Sequence, residues 1–359
     1  MKNFACLKLF LCSLFLLLSI KIYAQDPNFH IYLCFGQSNM AGAGAIETQD
    51  KTVNSRFQVM ASADCSQFNR KFGKWSPAIP PLWGCPTGGL CPVDYFGRTM
   101  VDSLPSNIKI GVIVIGIPGC DIALFGKTGY QGFDTYKYVP TRYNGSAYAW
   151  LMDLAKLAKQ DGVIKGILMH QGETNSGQAT WPNKVKTVYD NIIADLGLVA
   201  SKTPLLVGEL LYQNQGGACG GHNTIIATVP NVIPNSYVIS ANGLPGNEND
   251  KFHFNSLGNR NFGIRYAQKM LLLLEKSMVK QTNFVTSPEH FDLQNYSDGT
   301  IKISTDDQYN YSVTNIRGAL VEKGNAKGEL IVGTKFTPGI YFLSIQNRSG
   351  IFTGKLLKK

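Results

Sequence analysis

The sequence lacks the patterns that mark a zinc protein or a nucleic-acid-binding protein. It contains no Cys-x-x-Cys pair and no His-Glu-x-x-His segment, so a zinc site has little support. Lysine and arginine outnumber aspartate and glutamate by 34 to 24, but they form no dense basic runs. The excess of positive charge therefore indicates a solvated basic surface, and we expect no nucleic-acid partner.

Long apolar runs are missing beyond the first 24 residues. Residues Met1–Ala24 contain early lysines, an apolar core over Leu9–Ile20 and a small residue at the end, a pattern typical of a signal peptide. The apolar core is too short to span a bilayer comfortably. Loss of the three lysines in this segment takes the formal net charge from +10 to +7. We expect an exported, soluble mature chain without a membrane span.

Six of the eight cysteines remain in the mature chain, because Cys6 and Cys12 lie in the signal segment. An exported protein is free to oxidise them. Cys85 and Cys91 flank a loop rich in Pro and Gly that is flexible enough to close a small disulfide, and the connectivity is otherwise open. Cys34 lies in an apolar run and is predicted to be a small buried hydrophobe.

A serine follows the first buried strand of the mature chain. Ile31–Phe35 is continuously apolar, and the chain then breaks at Gly36 and presents Ser38 before helix-compatible residues. A strand that turns into a helix places such a serine beside backbone N–H groups and the positive end of a helix dipole. Those are the surroundings that a nucleophile in acyl transfer needs. The alternative is that Ser38 is only a helix N-cap.

Strands alternate with helices as far as about residue 279. Strands are expected over Ile31–Phe35, Ile108–Ile115, Val163–Met169, Pro204–Leu211 and Tyr237–Ala241, and helices over Phe96–Leu104, Ala147–Lys159, Asn183–Val199, Asn223–Val229 and Ser256–Met278. This alternation predicts an α/β domain over residues 25–279, with a parallel sheet covered by helices on both faces in three α/β/α layers. From about residue 280 to 359, short alternating runs separated by Gly and Asn predict a small antiparallel β-sandwich domain instead.

Two stretches of the α/β domain show little periodicity and are expected to be loops that cover a site. They are Thr48–Tyr95 and Gly126–Ser146. The first contains Trp75, Trp83 and Tyr95, which either stack on a sugar ring or pack within the loops. Any specificity is expected to reside in these two stretches.

Polar or small residues follow several predicted strands. Ser38, Gly119 and Gln171 each follow a different strand, and strand ends of a parallel sheet share one edge. Asp250 and His253 follow a fourth strand at a spacing that allows the carboxylate to hold Nδ1 while Nε2 faces the serine. The sequence therefore predicts a nucleophile, a base and an orienting acid at one edge of the sheet.

Four blocks carry a resemblance to a known family. Gly36-Gln37-Ser38-Asn39-Met40-Ala41-Gly42, the turn at Gly119, His170-Gln171-Gly172-Glu173 and Asp250-x-x-His253 resemble the blocks of the SGNH hydrolases. The match is closest to the branch of sialate O-acetylesterases and family 6 acetylxylan esterases, and it covers roughly residues 29–274. The resemblance implies a flavodoxin-like sheet and hydrolysis of acetyl esters on carbohydrates, without a metal or an organic cofactor.

The resemblance also implies roles for individual residues. Ser38 would be the nucleophile, His253 the general base and acid, and Asp250 the orienting carboxylate. The oxyanion would be held by the backbone N–H groups of Ser38 and Gly119 and by the side-chain amide of Gln171. Pro118 replaces the glycine that usually precedes this turn, and it has no N–H to offer. Glu173 is an alternative acid partner for His253, or else a buried hydrogen-bonding residue that braces its loop.

The C-terminal residues carry a resemblance of their own. Tyr311-Ser312-Val313-x-Asn315-x-x-Gly318, Pro338-Gly339-Ile340-Tyr341-Phe342-Leu343 and the basic end Lys355–Lys359 resemble the sorting domain of the type IX secretion system. This resemblance implies a secreted or surface-attached protein whose partner is the secretion machinery.

Together, the two resemblances predict a secreted carbohydrate O-acetylesterase that works through an acyl-serine. The alternative is a non-catalytic carbohydrate-binding or adhesive surface protein on the same scaffold.

Overall fold

The computed structural model describes residues 25–128, 137–281, 292–296, 298–315, 319–347 and 350–358. The chain divides into two compact units, Met1–Leu271 and Leu272–Lys359, and each is described by itself. The predicted signal peptide lies outside the described residues, as does part of the predicted loop Gly126–Ser146. None of the helices in the described ranges combines the length and the apolar character that crossing a membrane requires.

The first unit contains a seven-stranded sheet. Its strands are β1 (Asp26–Gly36), β2 (Phe57–Met60), β3 (Trp75–Pro77), β4 (Lys109–Gly116), β5 (Gly162–His170), β6 (Leu205–Gly208) and β7 (Ser236–Ile239). Their order across the sheet is β3-β2-β4-β1-β5-β6-β7, and all neighbours are parallel except β2 and β3. β1 therefore lies at the centre, and its carboxyl end meets the ends of β4 and β5.

Helices lie between these strands, and a long helix follows the last one. They are α1 (Ser38–Ala41), α2 (Pro92–Ser103), α3 (Ala147–Asp161), α4 (Trp181–Asp195), α5 (Asn223–Ile226), α6 (Val229–Val232) and α7 (Ser256–Gln281). Short 3-10 turns occur between them, among them Thr48–Asp50 and Ile122–Phe125. The predicted α/β class is therefore confirmed.

The central strand explains why helices cover both faces of the sheet. Ile31, Leu33 and Phe35 pack into one core with residues of α3 and α4. The side chain of Tyr32 points to the other face, where its ring meets that of Phe96 in α2 edge-on at 4.9 Å. Successive side chains of a strand alternate between faces, so a strand buried on both faces is apolar at every position.

The prediction that Thr48–Tyr95 contains only loops is wrong, because β2 and β3 lie within it. Phe57 and Val59 are fully buried, and β2 pairs with β4 in parallel. Each of these strands has only three or four residues, which is too short for a period-2 pattern to stand out. β2 pairs with β4, which lies some fifty residues further along the chain, and β3 pairs in turn with β2.

The second unit is antiparallel, as predicted, and its described strands belong to one five-stranded sheet, whereas a sandwich would have two. Its strands are β8 (Asp292–Asn295), β9 (Ile301–Asn315), β10 (Leu320–Val332), β11 (Gly339–Asn347) and β12 (Gly350–Lys358). β9 pairs with β10 along one edge, and with β8 and β11 at the two ends of its other edge; β12 pairs with β11. Ile303, Val313, Val332 and Leu343 belong to a separate hydrophobic core in this unit.

Candidate active site

A close approach between the carboxyl ends of the parallel neighbours β1 and β5 positions Ser38. A Cβ on Gly36 would lie 1.9 Å from the carbonyl oxygen of His170, so only glycine allows this approach. Gln37 links the two strand ends. Its backbone N–H donates to that carbonyl at 2.9 Å, and its side-chain Oε1 accepts from the Gly172 N–H at 2.9 Å. Gln37 is the N-cap residue and Ser38 is the first residue of α1, so the interpretation of Ser38 as an N-cap is wrong.

Ser38, His253 and Asp250 form one chain of hydrogen bonds. His253 Nε2 lies 2.7 Å from Ser38 Oγ, and His253 Nδ1 lies 2.9 Å from Asp250 Oδ2. A carboxylate only accepts, so Nδ1 carries the hydrogen, and Nε2 is left to accept the hydroxyl hydrogen of Ser38. The arrangement makes the serine hydroxyl a group that can lose its proton to the imidazole.

The Asp250 carboxylate is held in its ionised form. Burial opposes its ionisation, but hydrogen bonds from Phe252 N–H, from the His253 ring and from His253 N–H outweigh that effect and lower its pKa. Both backbone N–H groups donate to Oδ1 at 2.8 Å, which leaves Oδ2 to the ring. The carboxylate therefore fixes the loop and the ring together.

Glu173, the alternative acid, contacts a different partner. Its Oε1 accepts a hydrogen bond from Asn39 Nδ2 at 2.9 Å and lies 3.8 Å from His170 Nδ1. The ring contact of His253 is made by Asp250 instead. Glu173 is only 8% exposed, in keeping with the expectation of a buried residue that braces its loop.

Two of the three expected oxyanion donors are backbone N–H groups that have no acceptor within the part of the chain that the structure describes. Ser38 is the first residue of α1, where a backbone N–H has no acceptor within the helix. Gly119 has a φ of +74°, and its carbonyl accepts from Thr174 Oγ1 at 2.9 Å. Among the described residues, no acceptor contacts the Gly119 N–H.

The amide of Gln171 differs from the expectation. It is completely buried, and its Nε2 donates both hydrogens, to the Cys120 carbonyl at 3.1 Å and to Asn175 Oδ1 at 2.6 Å. Its Oε1 accepts from Trp181 Nε1 at 2.6 Å. Donation to an oxyanion would require one of these bonds to break. Asn175 and Trp181 thus occupy the side-chain amide of Gln171. The pattern of polar residues after the strands does not identify either of them.

A cavity of about 460 Å³ opens beside Ser38. Its wall includes three aromatic side chains (Trp83, Tyr138 and Trp150) and two cations (Arg70 and Lys137), together with small residues such as Ala41, Gly42 and Ala61. None of the described residues that line it is a carboxylate. The Trp83 and Tyr138 rings are 6.3 Å apart, and Lys137 Nζ lies 5.3 Å from the Tyr138 centroid.

Of the three aromatic residues considered from the sequence, only Trp83 lines this cavity. Trp75 packs edge-on against Phe29 at 4.8 Å and donates to Asp161. Tyr95 donates its hydroxyl hydrogen to Asp50. Trp75 and Tyr95 therefore have packing roles.

A disulfide holds one wall of the cavity, and its pairing differs from the expected closure of Cys85 with Cys91. Cys85 lines the cavity and is bonded to Cys65. Cys91 is fully buried at the start of α2, where its Sγ donates to Asp94 Oδ2. Cys34 is a buried free thiol, as predicted. The Cys91 thiol is hydrogen-bonded at the start of the helix and forms no disulfide with Cys85. Cys85 bonds instead to Cys65, 20 residues earlier in the sequence.

Most of the first unit matches a known protein family. Residues 28–272 match the family described as carbohydrate esterase, sialic acid-specific acetylesterase. The fold and this match define an esterase. The chain belongs to this carbohydrate esterase family, which confirms the predicted resemblance to sialate O-acetylesterases.

Two solved structures have a similar fold. A protein from Arabidopsis thaliana is 19% identical with a TM-score of 0.53, and the match covers 69% of this chain and 99% of that chain. NanS is 15% identical with a TM-score of 0.55, and the match covers 70% of this chain and 100% of that chain.

The C-terminal residues match a second family. Residues 293–359 match the secretion system C-terminal sorting domain, as predicted for a type IX substrate. This domain indicates a secreted or cell-surface protein.

Proposed function

We propose that this esterase removes acetyl groups from sugars through an acyl-serine intermediate. The observation that carries the proposal is the unbroken hydrogen-bonded chain Ser38–His253–Asp250 beside a cavity of about 460 Å³. A monosaccharide-sized substrate suits a pocket of this size. We further propose that residues 25–279 form the esterase domain and residues 280–359 the sorting domain.

The first half of the reaction acylates the serine. His253 Nε2 takes the proton from Ser38 Oγ as the oxygen attacks the acetyl carbonyl carbon. The N–H groups of Ser38 and Gly119 donate hydrogen bonds to the resulting oxyanion. The bond between the carbonyl carbon and the sugar oxygen then breaks, and His253 returns its proton to that oxygen. Asp250 keeps the imidazole oriented and stabilises its positive charge.

The second half releases acetate. A water molecule gives a proton to His253 and attacks the acetyl carbon of the acyl-serine. When this second tetrahedral intermediate collapses, the bond to Ser38 Oγ breaks and the serine regains its proton from His253. The reaction consumes one water and yields one acetate and one free sugar hydroxyl.

The cavity favours an acidic sugar such as an acetylated sialic acid over a neutral xylan unit. Arg70 and Lys137 line it, while carboxylates are missing from its described lining. The Arg70 guanidinium is buried and donates to the carbonyls of Pro81 and Ile79, so the exposed Lys137 is the cation that can meet a ligand directly. A positively charged lining without carboxylates attracts an anionic ligand. The Trp83 ring offers an apolar face to a sugar ring.

The test is release of acetate from acetylated sialic acid and of p-nitrophenol from p-nitrophenyl acetate. Ser38→Ala is expected to abolish both with the fold intact by circular dichroism. Ser66→Ala, an exposed serine outside the cavity lining, is the matched control. If the wild-type protein binds the sugar without turnover and is not labelled by a serine-directed phosphonate, the protein is a binding module instead.

A further inference from the structure

Asn39 links the Ser38 turn to the backbone on both sides of His253. Its side chain is completely buried. Its Nδ2 donates to the carbonyl of Phe252 at 3.0 Å, and its Oδ1 accepts from the N–H of Phe254 at 3.2 Å. The residue after the serine thus holds the residues immediately before and after the imidazole.

Glu173 determines which way the Asn39 amide faces. Its Oε1 accepts a second hydrogen bond from Nδ2 at 2.9 Å. If the amide rotated by half a turn, Oδ1 would face two acceptors, Glu173 Oε1 and the Phe252 carbonyl, and Nδ2 would face the Phe254 N–H. Such buried like-with-like contacts leave every partner unsatisfied, so a single orientation is favoured.

Side-chain packing holds only one end of the His253 loop. Phe254 is fully buried, but Phe252 is 46% exposed and contributes little packing. The position of the ring therefore depends on backbone hydrogen bonds. Asn39 bonds to the Phe252 carbonyl and the Phe254 N–H, while Asp250 accepts from the Phe252 N–H and Asn259 donates to the Phe254 carbonyl. Asn39 is the residue that contacts both sides of the ring and also adjoins Ser38. A displacement of about 1 Å between reacting groups can cost about 10²-fold in rate.

We propose that Asn39 is a positioning residue that holds the imidazole against Ser38, and that Glu173 acts through Asn39 as a hydrogen-bond acceptor. This inference rests on the proposed esterase function. It gives Glu173 a role in catalysis without contact to His253, and that role requires an acceptor oxygen rather than a negative charge.

The test compares an acceptor-preserving with an acceptor-removing substitution. Asn39→Ala and Glu173→Ala are expected to lower kcat for p-nitrophenyl acetate by roughly 10- to 100-fold, while KM changes by less than about two-fold. Glu173→Gln keeps an oxygen for Asn39 and is expected to retain more than about half of kcat. Where Asn39→Ala does not fold, Asn39→Leu takes its place, because leucine has nearly the same size and adds no charge, while it removes both the donor and the acceptor of the amide.

Asn223→Ala is the matched control. Asn223 is a buried asparagine that clamps the N–H and carbonyl of Leu210 at 2.8 and 2.9 Å, the same pattern as Asn39 but without contact to Ser38 or His253. It is expected to lower the melting temperature and leave kcat of the folded protein intact. An equal fall of kcat in Asn223→Ala would reduce the effect to general destabilisation and overturn the proposal.

Three further outcomes are decisive. Full kcat in a folded Asn39 variant would overturn the positioning role while leaving the esterase function in place. A loss in Glu173→Gln as large as in Glu173→Ala would show that the charge matters and overturn the acceptor role. An inactive wild-type protein would instead remove the proposed function itself, whatever the variants do.

Discussion

His253 Nε2 lies 2.7 Å from Ser38 Oγ, although 215 positions separate the two residues in the sequence. The serine follows the central strand of the sheet, and the histidine lies on the loop before α7. Asp250, three residues before the histidine, holds the other ring nitrogen. The short loop brings Asp250 and His253 together, so that contact is local. The topology of the sheet brings His253 to Ser38, so that contact is long-range.

The first prediction concerns the acid that orients the imidazole. Asp250→Asn is expected to lower kcat by about 10²–10⁴-fold, because an amide in place of the carboxylate favours the wrong imidazole tautomer. Glu173→Gln is expected to be the milder of the two amide substitutions, since Glu173 contacts Asn39 rather than the ring. Steady-state kinetics with p-nitrophenyl acetate give both values. The reverse ranking would assign the orienting role to Glu173.

The second prediction concerns sugar binding. Trp83→Ala is expected to raise KM for an acetylated sugar by about 10-fold, because an aromatic face in the cavity is lost. Trp75→Phe is the control, since Trp75 packs on Phe29 outside the cavity lining. Initial rates over a range of acetylated sugar concentrations measure the change. If both variants keep the wild-type KM, Trp83 has no part in recognition.

The third prediction concerns the charge of the substrate. Lys137→Gln is expected to lower kcat/KM for an acetylated acidic sugar by about 5- to 10-fold, and to lower it less for an acetylated neutral sugar, because the lost attraction acts only on the anion. Lys71→Gln, a largely exposed lysine paired with Asp64 and outside the lining, is the control. Equal losses on the two sugars would argue for a neutral substrate.

The fourth prediction concerns the disulfide of the cavity wall. Replacing Cys65 and Cys85 together by serine is expected to lower the free energy of unfolding by about 2–4 kcal/mol, because the cross-link restricts a loop of the unfolded chain. Urea unfolding measures the difference. Cys219→Ser, a partly buried free cysteine, is the control and is expected to change stability far less. Equal stability of the double variant and the wild type would contradict the prediction.

The fifth prediction concerns the pH dependence of stability. Burial raises the pKa of Asp94 to about 7, although the hydrogen bonds from Cys91 and the charge of Arg98 act in the opposite direction. The folded protein therefore holds this proton more tightly than the unfolded chain does. The contribution of Asp94 to stability is greatest below its ordinary pKa, and it is lost as the pH rises towards 7.

Asp94→Asn removes that titration. The variant is expected to lose less stability than the wild type between pH 5 and pH 8, as measured by urea unfolding at both values. Asp102→Asn, at an exposed position of the same helix, is the control and is expected to follow the wild type. Parallel pH profiles for wild type and Asp94→Asn would show that Asp94 does not titrate in this range.

The sequence by itself determined which segments form the layers of the α/β domain and where polar motifs follow the strands. Periodicity and apolar runs are local properties, so β4, β5 and α3 lie within a residue or two of their predicted bounds. β1 ends one residue after its predicted end but begins at Asp26, ahead of the predicted start at Ile31. The pairing of Asp250 with His253 is also local, because both residues belong to one short loop. The two family resemblances rest on short motifs of the same local kind.

Only the tertiary structure decided which partner each remaining polar group takes. Gln171 turns its amide hydrogens to Cys120 and Asn175, Glu173 contacts Asn39, and Cys85 bonds to Cys65. β2 likewise exists as a strand because β4 pairs with it. These partners are brought together by chain folding, and a buried polar group bonds to whichever partner lies in reach. One-dimensional spacing carries no information about that reach.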